Sequence, residues 1–339
     1  MSTIFDVAKE AGVSKSTVSR VLNHEAGVRE NTRKAVEAAI RKLNYSPSYF
    51  ARGIRTGRTR TIAMLVPEYT NVFYNELFRG VEDVALKHGY MVFVCNTERH
   101  SNSEQEYIEE LLRRNIDGII YNTYSMDKQM LSYLRKLSRK LPFVFMDKVF
   151  DFEKEKEASY VVTDGFSSTR NAVHYLYERG KRRIGYIRNI EGIHVTEERY
   201  EGYLAGLSDC GLEFQEKYIC RLFPTEEIDY IKRGHDAADY YAGQADRPDA
   251  VLAAIDMLAI GCVQQLRRRK VKVPEEINVI GYDNISLSEL MEPPLTTIRQ
   301  PIRKLGQTAA EIIIAKINGE QVADRVTYDG ELVLRETTD

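Results

Sequence analysis

From Thr61 onward the chain alternates short apolar runs with amphipathic stretches, the pattern of a doubly wound parallel sheet. Ile62–Val66, Tyr90–Cys95, Gly118–Tyr121 and Phe143–Met146 read as buried strands. Helices are expected between them near Tyr74–His88, Ser103–Arg114 and Asp127–Arg139. A polar stretch, Asp151–Ala158, separates this run from a second one: strand Tyr160–Thr163, helix Ser167–Arg179, strand Arg183–Ile187. Further units follow, with strand Ala250–Ala254, helix Met257–Arg269 and strand Asn278–Tyr282. The expectation is an α/β architecture used twice, and ligands at such sheets bind outside the C-terminal ends of the strands.

Several functions lack their usual residues. No G-x-G-x-x-G follows the first strand, and no G-x-x-x-x-G-K-[ST] occurs, so a nucleotide-dependent enzyme is not supported. There is no nucleophile elbow, no H-E-x-x-H and no cluster of metal ligands, so we expect neither catalysis, nor a cofactor, nor a metal. Cys95, Cys210, Cys220 and Cys262 are widely spaced and read as reduced thiols in or near the core. MSTIFDVAKE has no basic-then-apolar leader, and no apolar stretch approaches the roughly 18 residues of a membrane helix. The expected location is the cytoplasm.

The first sixty residues differ in kind. They carry 12 Lys/Arg against 5 Asp/Glu, a balance of +7, while the whole chain is at −2, which leaves −9 for the rest. A small basic head on an acidic body suits a head that meets a polyanion. Thr3 is a good N-cap for a helix through Ala11, with Asp6 in its first turn, and Gly12 ends it. Gly12-Val13-Ser14 makes a corner in which Ser14 caps a second helix, Lys15–Leu22. Val18, Val21 and Leu22 share one face there and can pack on Val7 and Ala8, while Lys15, Ser16, Ser19 and Arg20 face outward. Two short helices joined by a Gly-containing corner match the helix-turn-helix plan, and a third helix, Glu30–Leu43, completes a three-helix core. Lys15 and Ser16 would then reach base edges, with Ser19 and Arg20 on a base or phosphate. An ordinary helical hairpin with a solvated polar face is the competing reading. After Tyr45-Ser46-Pro47 comes a basic segment in which Ile54 would wedge between base steps and Arg52 and Arg55 would grip phosphates, should it become helical on DNA.

Polar and aromatic residues gather at the strand ends of the body: Asn71, Phe73 and Tyr74 after the first strand, Asp147 after Phe143–Met146, Asp164 after Tyr160–Thr163, and Asp283 after the last parallel strand. With Arg199 they can enclose a polyol, since carboxylates and guanidinium make directional hydrogen bonds and aromatic rings cover apolar sugar faces. Asp164 and Asp256 read equally well as helix caps.

The run Asp6-Val7-Ala8, Ala11-Gly12-Val13-Ser14, Thr17-Val18-Ser19-Arg20-Val21-Leu22-Asn23 and Tyr45-Ser46-Pro47 resembles the head of the lactose-repressor/galactose-repressor family. Thr17, Asn23 and Tyr45, which lie in these segments, join the DNA-binding set. The body resembles that family's sensor domain, itself similar to periplasmic sugar-binding proteins, through Asn71-x-Phe73-Tyr74, Asp117-Gly118-Ile119-Ile120, Arg199-x-x-Gly202-Tyr203, Asp256-x-x-Ala259-x-Gly261, Gly281-Tyr282-Asp283 and Leu295-Thr296-Thr297-Ile298. The resemblance implies that Phe73, Arg199 and Asp283 line an effector cleft, with Asp256 beside them, and that two chains pair side by side. It also implies a helix-turn-helix domain at 1–46, a hinge at 47–60 and a two-lobed unit at 61–339. Its first lobe would comprise about 61–160 and 295–325, and its second about 161–294 and 326–339. Three departures matter. Ile54 stands where the hinge usually has Leu, and with Gly53 before it lowers helix propensity; Ser48 stands where Asn is common; Ile255 stands where a polar residue is frequent.

The expected function is thus a ligand-controlled repressor, a homodimer on a roughly palindromic double-stranded operator, with a sugar or sugar derivative as effector. A solute receptor without regulation and an α/β enzyme with an accessory helical domain are the alternatives. A leader sequence would favour the former, and turnover of a bound metabolite the latter.

Overall fold

The computed structural model describes residues 2–22, 25, 27–45, 58–97, 101–122, 128–148, 159–189, 194–221, 229–323 and 325–339. The chain separates into two compact units, Met1–Arg60 and Thr61–Asp339.

The first unit contains α1 (Ile4–Glu10), α2 (Lys15–Leu22) and α3 (Glu30–Lys42). Thr3 and Asp6 cap α1 reciprocally, side chain to backbone in both directions. Gly12 turns the chain at φ +62° and Asn44 at φ +45°, so each helix break falls on a residue that tolerates the left-handed region. Val7, Ala8, Val18, Val21, Val36 and Ala39 form the small core. Ala35, expected in the apolar stripe of α3, is exposed.

The second unit has two lobes. The sheet of the first lobe runs β11-β5-β4-β3-β1-β2, all neighbours parallel, from β1 (Thr61–Val66), β2 (Met91–Asn96), β3 (Gly118–Tyr121), β4 (Phe143–Phe145), β5 (Ser159–Thr163) and β11 (Arg325–Tyr328). The second lobe's sheet runs β12-β10-β9-β8-β6-β7, from β6 (Ile184–Ile187), β7 (Ile219–Cys220), β8 (Ala250–Ala253), β9 (Asn278–Asp283), β10 (Thr296–Arg299) and β12 (Glu331–Val333). Its one antiparallel pairing is β10 with β12. Continuous apolar runs serve these strands because helices cover both faces. The helices are α4 (Val72–Ala85), α5 (Ser101–Arg113), α6 (Lys128–Ser138) and α12 (Ile302–Ile317) in the first lobe. The second has α7 (Gly165–Glu178), α8 (His194–Asp209), α9 (Tyr230–Ala242), α10 (Asp256–Arg268) and the short α11 (Ser286–Leu290).

Three crossings join the lobes: Asp164 between β5 and α7, Gln300-Pro301 between β10 and α12, and Asp329-Gly330 between β11 and β12. This corrects the expected boundaries at 295 and 325. Thr296–Arg299 pairs with Ile280–Asp283 and so belongs to the second lobe, while Arg325–Tyr328 pairs with Tyr160–Thr163 and belongs wholly to the first. An apolar run shows that a strand exists but not which sheet it joins. The helices α8 and α9 also go unannounced in the sequence. The buried face of α8 includes Thr196, Arg199, Gly202 and Tyr203, so no apolar stripe marks it.

The four cysteines are free thiols, and burial pushes Cys220 up to about 11. Among the described residues, no helix is long and apolar enough to cross a membrane, and no cluster of His, Cys, Asp or Glu is placed to hold a metal ion.

Candidate functional site

The outward face of α2 is polar and basic because its inward positions, Val18 and Val21, are spent on the core. Ser14 Oγ accepts the Thr17 N–H at 3.2 Å, which seats the first turn of the helix. The Ser16 and Thr17 hydroxyls both lie against Ser14, at 2.7 Å and 2.9 Å. Lys15, Ser16 and Arg20 are exposed, and Thr17 and Ser19 half-buried. Lys15 Nζ sits 4.7 Å from the centre of the Phe5 ring, and Arg20 lies 3.4 Å from Glu25. Tyr45 packs in part on the head's core, its N–H bonded to the Ile40 carbonyl at 3.0 Å. Asn23, Arg52, Ile54 and Arg55 lie outside the described residues.

In the second unit a cleft opens between the lobes at the C-terminal ends of both sheets, about 730 Å³ with the solvent at its mouth included. The first lobe contributes Asn71, Phe73, Tyr74 and Asp147; the second contributes Arg199 and Asp283. Asn71 caps α4, its Oδ1 accepting the Phe73 N–H at 3.0 Å, and this cap turns Phe73 and Tyr74 into the cleft with rings at 86° and 5.2 Å apart. Arg199 is held from three sides. Its Nη1 donates to the Ala254 carbonyl at 2.6 Å, its guanidinium stacks 3.6 Å from the Tyr282 ring centre, and its Nη2 lies 3.8 Å from Asp283 Oδ1. Gln300 Nε2, from the second crossing, donates to the same Asp283 oxygen at 2.7 Å.

Asp256 is not in the cleft. It begins α10 and is wholly buried, its carboxylate accepting from Ser288 Oγ (2.6 Å), Thr297 Oγ1 (2.5 Å) and the Ile285 N–H (2.9 Å). Three donors from β10, α11 and the loop after β9 draw it away from the ligand side, and Ile255 lines the cleft in its place. Asp164 caps α7, its Oδ1 accepting the Ser167 N–H at 2.8 Å. Asn122 and Asn189 also line the cleft, each just past a strand that the sequence announces, so the strand-end rule that finds Asp147 would have found them too. Thr163, Glu198 and Gln300 line it as well, and nothing in the sequence marks them.

Two contacts close the cleft across the lobes. Lys148 Nζ, just after β4, meets Glu198 Oε1 of α8 at 2.5 Å, and Asp147 accepts the Val195 N–H with His194 Nδ1 3.8 Å away.

Burial pushes Asp147 up to about 6 and Asp283 up to about 6. Burial, and then the charge of Asp283, push Asp256 up to about 7. The folded protein thus holds protons that an unfolded chain, with carboxyls near 3.8, has released. Stability therefore falls as pH rises through this window and levels off above about 7. The carboxylates shifted the other way, such as Asp239 at about 2, act only in more acid solution. We expect the thermal midpoint of the ligand-free protein to be higher at about pH 6 than at about pH 8, and Asp256→Asn to flatten the part above about pH 6. Equal midpoints at the two values would contradict the buried, proton-holding state of these acids.

A model of the lacI family of bacterial regulatory proteins matches residues 3–48, and one of periplasmic binding protein-like domains matches residues 173–338. The HTH-type transcriptional repressor PurR of Photobacterium profundum is 34% identical over 344 residues, covering 99% of this chain and 98% of its own length. The HTH-type transcriptional repressor CytR of Escherichia coli is 33% identical over 340 residues, covering 99% and 96%. Among solved structures, the lac repressor dimer bound to operator and the anti-inducer ONPF aligns with a TM-score of 0.87 at 26% identity, covering 99% of each chain. The complex of the transcriptional regulator CelR with cellobiose aligns at 0.74 and 28% identity, covering 99% of this chain and 100% of the other.

Proposed function

Since this chain belongs to the lacI family of bacterial regulatory proteins and is a ligand-responsive, DNA-binding transcriptional regulator, we propose that it represses as a homodimer on a roughly palindromic operator and answers to a sugar or sugar derivative. The observation that carries the effector half is the cleft itself: a guanidinium, carboxylates and aromatic rings converge between two lobes joined by only three crossings. Such lobes can close on a ligand, and the Lys148–Glu198 and Asp147–Val195 contacts exist only while they are closed. A ligand that changes their separation changes the balance of states, a coupling typically worth about 1–3 kcal/mol. One solved relative, CelR, is a complex with cellobiose, which supports a sugar-like ligand here. As a regulator of chromosomal genes, the protein would work in the cytosol.

Pairing of two chains is supported by the outer edge of the first sheet. Strand β2 leaves Met91 and Phe93 at least half exposed, and Leu86 in the turn before it is exposed as well. A bare apolar edge invites aggregation unless a second copy covers it.

The DNA half is tested on α2. Lys15→Ala is expected to weaken binding to a selected palindromic site by about 1–3 kcal/mol while leaving binding to scrambled DNA little changed, since a contact to a base edge is lost. Titration of labelled duplexes at several salt concentrations measures both. A full-length dimer that prefers no palindrome to bulk DNA would sink the proposal.

A further inference from the structure

We propose that the cleft selects an uncharged, hydroxyl-bearing ring, and that the Thr163 hydroxyl reads one of the ring's hydroxyls; this rests on the cleft being the effector site.

The charge inventory of the cleft points one way. Among the described residues that line it, Arg199 is the one cation, against Asp147, Glu198 and Asp283. The guanidinium is committed to the Ala254 carbonyl, the Tyr282 ring and Asp283, and Glu198 is matched by Lys148 from outside the lining. An entering phosphate or carboxylate would therefore meet carboxylates in a desolvated space with no unmatched cation to receive it, and charges buried without a partner are strongly disfavoured. Carboxylate oxygens only accept hydrogen bonds, so the wall favours donors, which hydroxyls supply. Phe73, Tyr74, Val161, Val195, Ile255 and Leu305 provide the apolar surface against which the C–H face of a ring packs.

Thr163 supplies the second, independent observation. It is the last residue of β5, at the first crossing between lobes, and only 7% exposed. Its Oγ1 is buried with no hydrogen-bond partner among the described residues. Other buried hydroxyls share that condition, those of Ser159, Thr169 and Tyr186 among them, but of the side chains with an unpartnered buried oxygen Thr163 alone lines the cleft. A buried hydroxyl without a partner is unfavourable until something pairs with it. A ligand hydroxyl in this cleft does so, which makes Thr163 a specificity-determining residue.

The experiment is calorimetric titration of the full-length protein with matched probes: cellobiose and D-glucose against D-gluconate and D-glucose 6-phosphate, and adenosine against adenosine 5′-monophosphate. We expect at least one neutral probe to bind and its anionic counterpart to bind roughly a hundredfold more weakly. Binding within the sugar pairs or within the nucleoside pair tells which kind of ring carries the hydroxyls. For the neutral probe that binds, Thr163→Val is expected to reduce affinity about tenfold and Thr163→Ser to retain most of it. The thermal midpoint of ligand-free Thr163→Val should equal or exceed that of the parent, because the orphan hydroxyl is gone. A structural role for Thr163 would lower it. The proposal is overturned if an anionic probe binds as tightly as its neutral partner, if Thr163→Val leaves affinity unchanged, or if no neutral probe binds at millimolar concentration. Should that last result come with intact preference for palindromic DNA, the regulator reading stands and only the ligand class falls. Loss of both would remove the reading beneath it.

Discussion

Arg199→Ala is expected to abolish effector binding and to lower the unfolding free energy of the two-lobed unit by about 3 kcal/mol near pH 8. The guanidinium is the partner that lets Asp283 stay ionised while buried, and its removal leaves that carboxylate with Gln300 alone. Breaking a buried pair costs about 3–5 kcal/mol, and the 3.8 Å separation places this one at the lower end. The Ala254 carbonyl also loses its donor and the Tyr282 ring its stacked cation. The sign with pH is set by Asp283. Already at about 6 with the arginine present, it rises further without it, so the variant takes up a proton more readily and its deficit shrinks as pH falls. Denaturant unfolding at about pH 8 and about pH 6, on parent and variant, reads both quantities. A deficit of the same size at the two pH values would mean that Asp283 is not the group left stranded.

Gly202→Ala is expected to cost at least about 3 kcal/mol and to remove effector binding, although Gly202 touches no ligand. A Cβ at this position would stand 2.3 Å from the Phe166 carbonyl oxygen and 3.0 Å from its carbonyl carbon and Cα, all of them backbone. No side chain can move aside, so α7 and α8 must part. Arg199 lies three residues before Gly202 on α8, and the displacement carries its guanidinium away from Asp283 and Ala254. Gly211→Ala provides the contrast, because its left-handed backbone at φ +64° costs an alanine about 1–2 kcal/mol while nothing lies within 4 Å of the added carbon. Thermal unfolding of the two variants separates crowding from backbone strain. Comparable losses in both, with ligand binding intact in Gly202→Ala, would show that the helix pair has slack that the static distances do not reveal.

The sequence carries the head almost completely. The Thr3–Asp6 capping box, the Gly12 corner, the α2 apolar face and the Asn44 stop are each written within a few residues of where they act, as local rules require. The strands of the body are legible for the same reason, and so is the principle that acids and amides just beyond them face a cleft. Where α8 lies is not, because this helix buries an arginine, a threonine and a glycine on its inner face. Nor is the lobe to which residues 296–299 belong, since a strand that leaves one sheet and a strand that enters another have the same apolar look.

Asp256 and Asp283 show where local rules stop. Each follows a strand of the second lobe, and by position alone each qualifies for the cleft. The donors that claim Asp256 stand 29, 32 and 41 residues away in sequence, and only folding brings them beneath it. Asp283, held at a left-handed φ of +119°, is met instead by Arg199 and Gln300 from the cleft side. By itself the sequence determined the elements, the caps, the basic head and the kinds of residue available for a polar cleft. Which of two equivalent carboxylates faces the ligand, and that Thr163 is left waiting for one, was decided by the tertiary structure, because hydrogen-bond satisfaction depends on neighbours that are distant along the chain and close in space.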